Sequence, residues 1–209
     1  MPRPRTVSDE AIFAAVSEVV SQVGPARLTL AAVAKKAGLS PATLVQRFGS
    51  KRALLLSLHQ GDTEYVRRRL RVAGSRNGIL DTLLDNLAAL AEPVSDPVAF
   101  SNHLAVLHQD LSDPEFHAQA RAHARAMREE IHDLLVRATE AGELLPTDLA
   151  QLARSVQSTY NGALVTWAVH REAPLETWLR RELDAVLAPW RATGRARDTS
   201  FPLRTIESS

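Results

Sequence analysis

Apolar residues recur along most of this chain at spacings of three and four, the period of an α-helix, and form no strand-like alternating runs. Ile12, Phe13, Val16, Val19, Val20 and Val23 make the first such stripe, with Ser8 as its cap, Asp9 and Glu10 at its positive end, and Gly24-Pro25 as its stop. Two very short helices are predicted next. Thr29 caps the first, whose apolar face is Leu30, Val33, Ala34 and Ala37, and Gly38 supplies the left-handed residue that stops it. Ser40 caps the second, with Pro41 at its first position and Leu44 and Phe48 turned inward at i, i+4 spacing; Gly49 ends it and Ser50 caps a third. Helix, glycine turn, helix within so few residues is a helix-turn-helix signature.

The helix capped by Ser50 is predicted to be long, from Lys51 to about Ala73, packing through Leu54, Leu55, Leu58, Tyr65, Val66 and Leu70. Gly61-Asp62 should kink or interrupt it, since a mid-helix glycine costs about 1 kcal/mol relative to alanine. Gly61 as a hinge and ordinary helix irregularity both remain open. Arg67, Arg68, Arg69 and Arg71 lie ~24 Å along the helix from Lys51 at 1.5 Å per residue, and are read as a solvated face. Five further helices are expected, opening at Asn77, Asp96-Pro97, Asp113-Pro114, Thr147 and about Pro174, the last ending at Trp190; residues 194–209 read as a polar tail. In the helix opened by Thr147, Leu152, Val156, Tyr160, Ala163 and Trp167 form one stripe, and Leu164, Val165, Ala168 and Val169 a second. Two apolar sides call for burial on two sides.

Charge sharpens this picture. Within residues 1–52, eight basic residues against three acidic ones leave +5, so the remainder carries −4 of the overall +1. A basic module on a mildly acidic body suits nucleic acid at one end. The chain has no cysteine, which excludes thiol chemistry and suits a reducing cytoplasm; no apolar run approaches the ~18 residues of a membrane span. The fold class expected is all-α: a three-helix helix-turn-helix domain with an N-terminal arm over residues 1–52, then a helical body over 53–193.

The second short helix has a calculable outward face. Taking about 100° per residue with Leu44 at zero, Phe48 falls about 40° away, Thr43 about 100°, and Ala42 and Gln46 about 160°. Ala42, Thr43 and Gln46 therefore point where base edges would lie, flanked by Val45 and Arg47. Gln pairs bidentately with adenine, Ala and Thr methyls meet thymine methyl, and Arg47 suits guanine or phosphate. Thr29, Ser40, with Pro41 opening its helix, and Lys51 are placed to hold the DNA backbone. The arm, with Arg3 and Arg5, suits phosphate or the minor groove, or is simply an unstructured terminus.

The stretch AAVAKKAGLSPATLVQRFGSKRALL resembles the DNA-binding signature of TetR-type transcriptional regulators. The matching features are Thr29, the Ala37-Gly38-Leu39-Ser40 turn, Thr43-Leu44, Phe48, Lys51 and Leu54-Leu55. The family usually has Tyr where this chain has Val45, and often His at Arg47; Val45 cannot supply the phosphate contact such a Tyr makes. The resemblance implies a regulator that binds a near-palindromic operator as a homodimer, pairing its last two helices (about 147–190) with their copies, and that a small-molecule effector releases. Activation, or control by a protein partner, is the alternative.

The same resemblance implies an effector pocket in the body. Candidate lining residues are the polar or aromatic ones on otherwise apolar helices: Phe100, His103, Leu107, His123, Met127, Tyr160, Asn161 and Trp167. Taken singly, each also suits core or interface. Glu129-x-x-His132 has the spacing of carboxylate-bridged metal bundles, but no second copy accompanies it, and no phosphate loop or nucleophile elbow is present. A metal-dependent helical-bundle enzyme is thus a remote alternative; neither cofactor nor metal is expected.

Overall fold

The computed structural model describes residues 7–72 and 78–192. The described residues form nine α-helices: α1 (Asp9–Arg27), α2 (Leu30–Ala37), α3 (Pro41–Phe48), α4 (Lys51–Arg71), α5 (Ile79–Leu90), α6 (Pro97–Ser112), α7 (Pro114–Glu140), α8 (Leu149–His170) and α9 (Leu175–Leu187). They contain no strand, only an isolated antiparallel bridge between Leu144 and Arg191. The arm through Thr6, Ala73, Asn77 and the tail from Gly194 lie outside the described residues.

Two buried clusters organise the helices. One gathers Ile12, Val16 and Val20 of α1, Val33 and Ala34 of α2, Leu44 of α3, and Leu54, Leu55 and Leu58 of α4; Phe116 of α7 reaches into it. The other is built from α5, α7, α8 and α9, with Val66 and Leu70 of α4 and Phe100 of α6. Helix α4 thus runs through both, its first two turns in the first and its last two in the second.

The structure changes three sequence-based expectations. Helix α4 is continuous through Gly61-Asp62. A Cβ at Gly61 would lie 2.8 Å from Phe13 Cδ2, so this glycine is explained by close packing of α1 on α4 rather than by a helix break. The arginines at the end of α4 are not merely a solvated face: Arg69 Nη1 donates to Asn86 Oδ1 at 2.7 Å, Arg67 approaches Glu129 at 3.5 Å, and Arg71 binds the buried Glu130 at 2.6 Å. Helix α8 is capped by Asp148, whose Oδ1 accepts from the Gln151 amide at 2.9 Å, not by Thr147. Both Asp-Pro starts hold: Asp96 accepts from the Val98 and Ala99 amides, Asp113 from Glu115 and Phe116.

Candidate nucleic-acid interface

Short-range hydrogen bonds set the geometry of the reading head. Thr29 Oγ1 accepts from the Ala32 amide at 3.1 Å, Ser40 Oγ from Thr43 at 3.1 Å and Ser50 Oγ from Ala53 at 3.1 Å, so α2, α3 and α4 each start on a satisfied cap. Gly38 takes the left-handed conformation (φ 69°, ψ 31°), and the Leu39 amide closes the turn on the Ala34 carbonyl at 2.8 Å. Leu44 is fully buried and pins α3 from beneath.

Around that pin, Ala42 and Gln46 are exposed and Thr43 is half-buried, its hydroxyl 2.8 Å from that of Ser40. Val45, at 48% exposure, presents an apolar flank. Arg47 is already engaged: Nη1 donates to the Val7 carbonyl at 2.6 Å and Nη2 meets Asp9 at 2.7 Å, anchoring the start of α1 to α3. Lys51 Nζ donates to the Ala26 carbonyl at 3.0 Å, and Lys36 pairs with Glu18. In this state Arg47 and Lys51 brace the module; contact with DNA requires them to exchange or share these partners. Pro41 is exposed at the first position of α3, where no amide is needed.

The body's candidate residues separate into groups. Phe100, Met127, Tyr160 and Trp167 belong to the buried cluster. Burial pushes the Tyr160 phenol well above its ordinary range, and Trp167 Nε1 is committed to the Ala173 carbonyl at 3.0 Å. Asn161 is exposed and shares an outward row of α8 with Val165 and Val169, at i, i+4 and i+8. His103 and His123 lie with His59, Asp62 and Asp110 at the meeting of α4, α6 and α7, and burial lowers the basicity of both. Leu107, one turn before Leu111 on α6, is exposed beside them.

His59, Asp62 and Asp110 were not among the residues singled out from the sequence. Their signal was present: His59 and Asp62 share a face of α4 at i, i+3, as His103 and Asp110 do on α6 at i, i+7. Glu129 and His132 face Arg67 and Asp133 respectively. Among the described residues, no group of three or more His, Asp or Glu is arranged to hold a metal ion. Two open surface depressions, of about 450 Å³ beside Asp81 and Arg191 and about 310 Å³ beside Glu129 and Arg154, lie apart from the histidine cluster.

The reading head and body are mechanically joined. Arg52, at the start of α4, binds Asp113 at 2.7 Å and Glu115 at 2.8 Å at the start of α7, with its guanidinium 4.9 Å from the centre of the Phe116 ring. Asn102 of α6 donates to the Ser21 carbonyl of α1 at 2.8 Å.

A capped helix-turn-helix whose second helix turns a polar face outward, joined to a body whose described residues are helical, is the architecture of a DNA-binding module. Residues 12–58 match the family model described as bacterial regulatory proteins, tetR family. Residues 12–58 thus carry a TetR-family DNA-binding module, as the residues from Leu28 to Leu55 implied. Its fold is similar to Salmonella enterica GusR (20% identity, 90% of this chain and 98% of that one, TM-score 0.65). It is also similar to a TetR transcription regulator from Haloarcula marismortui (17%, 88% and 97%, TM-score 0.69). A third similar fold is that of a Saccharomonospora viridis protein in complex with choline (16%, 88% and 97%, TM-score 0.67). No curated protein matches the chain. No helix among the described residues is long and apolar enough to cross a membrane.

Proposed function

We propose that the chain is a homodimeric repressor that a small-molecule effector releases from a near-palindromic operator. Residues 1–52 serve as the reading domain and 53–193 as the effector and dimerisation body, with the first turns of α4 shared between them. The observation that carries this reading is the junction: α4 packs into both clusters, and Arg52 ties its first turn to the start of α7. A ligand that favours one arrangement of α4, α6 and α7 would thereby shift the reading head, to the extent of its differential affinity for the two states. The Saccharomonospora viridis neighbour, with its bound choline, supports a body that accommodates a small molecule.

Ala42, Thr43 and Gln46 read bases in the major groove; Thr29, Ser40 and Lys51 hold the DNA backbone, with Pro41 beside them at the start of α3, and Arg47 reaches guanine or phosphate. Val165 and Val169, 47% and 74% exposed on α8, mark the face that meets a second copy. Operator selection with the purified protein tests the whole reading. Gln46→Ala should relax preference at one base position per half-site by about 1–3 kcal/mol. Lys51→Ala should weaken all sequences alike and flatten the salt dependence by about one counterion. Val169→Arg should yield monomers by sedimentation and abolish full-operator binding. If Gln46→Ala leaves the selected sequence unchanged, the reading surface is wrong; a V169R protein that remains dimeric refutes the assigned interface.

A further inference from the structure

We propose that the meeting of α4, α6 and α7 is a binding site for an amphipathic organic ammonium ion. Its N–H donors would pair with the carboxylates of Asp110 and Asp62, and its apolar part would lie along Leu104, Leu107 and Leu111 of α6. The assignment rests on the preceding reading only in taking this ligand to be the effector; the site itself stands on its geometry.

The first observation is an unsatisfied carboxylate. The Asp110 side chain is 10% exposed, and its buried Oδ1 accepts no hydrogen bond, its nearest cationic neighbour being His59 Nε2 at 3.1 Å. Burying an acceptor without a donor is costly, and such an atom in a folded protein calls for a partner. The second observation is Asp62, less than one turn from His59 on α4. Among the described residues it makes no hydrogen bond or ion pair, and burial, aided by the Asp110 charge, pushes its carboxyl up to about 6. No lysine or arginine of the described residues pairs with either carboxylate. His103 and His123, both lowered by burial, add no positive charge at neutral pH. Even with His59 counted against Asp110, one carboxylate is left over.

Position and openness define the rest of the ligand. Asp110 faces inward, while Leu107, three residues earlier, and Leu104 and Leu111 form an exposed row on the adjacent face of α6. A carboxylate pair at the inner end of an apolar row fits a cationic head with an apolar body. An anion would be repelled. The cation is organic rather than a metal, because no three ligating side chains here converge on a metal position. It carries N–H groups, because Asp110 Oδ1 needs a donor and a quaternary ammonium has none.

The test uses the full chain and four probes of one length: n-hexylammonium, n-hexyltrimethylammonium, 1-hexanol and hexanoate. Calorimetric titration and thermal shift are run at pH 7.5 on wild type, Asp110→Asn, Asp110→Glu and Asp62→Asn. Hexylammonium should bind saturably and raise Tm, the trimethyl probe more weakly, and hexanol and hexanoate not at all. Asp110→Asn should lose roughly tenfold or more in affinity, the worth of a charge-assisted hydrogen bond, with Asp110→Glu partly restoring it. Asp62→Asn weakens binding too and carries the test should the Asp110 variants not fold, as judged by circular dichroism. The proposal is overturned if no hexylammonium binding occurs, if hexanol or hexanoate binds equally, or if both Asn variants keep wild-type affinity. Operator affinity measured alongside separates the two ideas. Hexylammonium binding that leaves operator affinity unchanged retains the site and refutes effector release; release by hexanoate or hexanol alone does the reverse.

Discussion

The reading module and the body use the same two kinds of contact, local caps and ties between distant residues, in different proportion. In the module, Ser8, Thr29, Ser40 and Ser50 each bond an amide three residues on. In the body, the decisive polar contacts join distant residues: Arg71 to Glu130, Arg191 to Asp81, and the Glu143 carboxylate to the Ile79 and Leu80 amides that open α5. A local cap forms whenever its own four residues turn, whereas a distant pair forms only after the helices have docked. The module can therefore be a rigid reading head on which the body acts as a unit, and the body can have more than one arrangement of its helices.

The largest effect that would break this comparison is at Leu44. It is fully buried beneath α3, and Leu44→Ala should destabilise the protein by about 2–5 kcal/mol in equilibrium denaturation while abolishing operator binding. Gln46→Ala, two residues on but exposed, should stay within about 0.5 kcal/mol of wild type. Equal losses at the two positions would mean that α3 is not a pinned helix with a free outer face.

The next effect has the opposite sign and lies in the body. Asp62 is held up at about 6 by burial, opposed by His59 and aided by Asp110, with His103 and His123, both of lowered basicity, the other titratable side chains of the cluster. A carboxyl raised in the folded state favours folding below its unfolded value near 4, and that advantage is lost as pH rises through about 6. Asp62→Asn removes the ionisation cost and should stabilise the ligand-free protein at pH 7 by on the order of 1–3 kcal/mol, a gain that fades below about pH 4. A D62N protein that is no more stable than wild type at pH 7 would show that Asp62 is not an uncompensated charge.

This contrast also explains what was legible in the sequence. Caps, Gly38 and the Leu44–Phe48 spacing are each a few residues long, so the module and the exposure of Ala42 and Gln46 could be read directly, whereas Thr43 is half-buried against Ser40. Both Asp-Pro starts were legible for the same reason. Arg47 was assigned to a flank, but its ties to Val7 and Asp9 span some forty residues, and no periodicity reports them. Gly61 looked like a break because glycine is a poor helix former, whereas its neighbour across the helix pair, Phe13, decided the outcome. His59, Asp62 and Asp110 stayed unseen because their meaning lies in which helices converge, which the spacing on any one helix does not state.

A smaller effect tests the local side of the contrast. Ser40→Ala removes the cap of α3 and should cost about 1 kcal/mol, with a larger loss in operator affinity than in stability because the same residue is assigned to the DNA backbone. Ser40→Gly, which costs a cap position only a few tenths of a kcal/mol, should leave stability near wild type while operator affinity still falls. Parallel losses in stability and binding would make Ser40 a cap and nothing more.

The smallest effect on stability lies at the joint between the two regions. Arg52 is about half exposed, so removing it as Arg52→Gln should lower Tm by less than Ser40→Ala does, and less again in high salt. The Arg52 guanidinium, together with the Glu115 and Phe116 amides, holds the Asp113 carboxyl down at about 2. A depressed carboxyl contributes stability above its unfolded value near 4 that disappears as pH falls through about 2, so the Tm gap between wild type and R52Q should be constant above pH 4 and close on acidification. The consequence for regulation is expected to exceed the consequence for stability. With the link from α4 to Asp113 and Glu115 cut, a ligand should still bind the body with wild-type affinity but shift operator affinity less. Full coupling in R52Q would move the path between body and reading head to the α1–α6 contact, where Asn102 holds the Ser21 carbonyl.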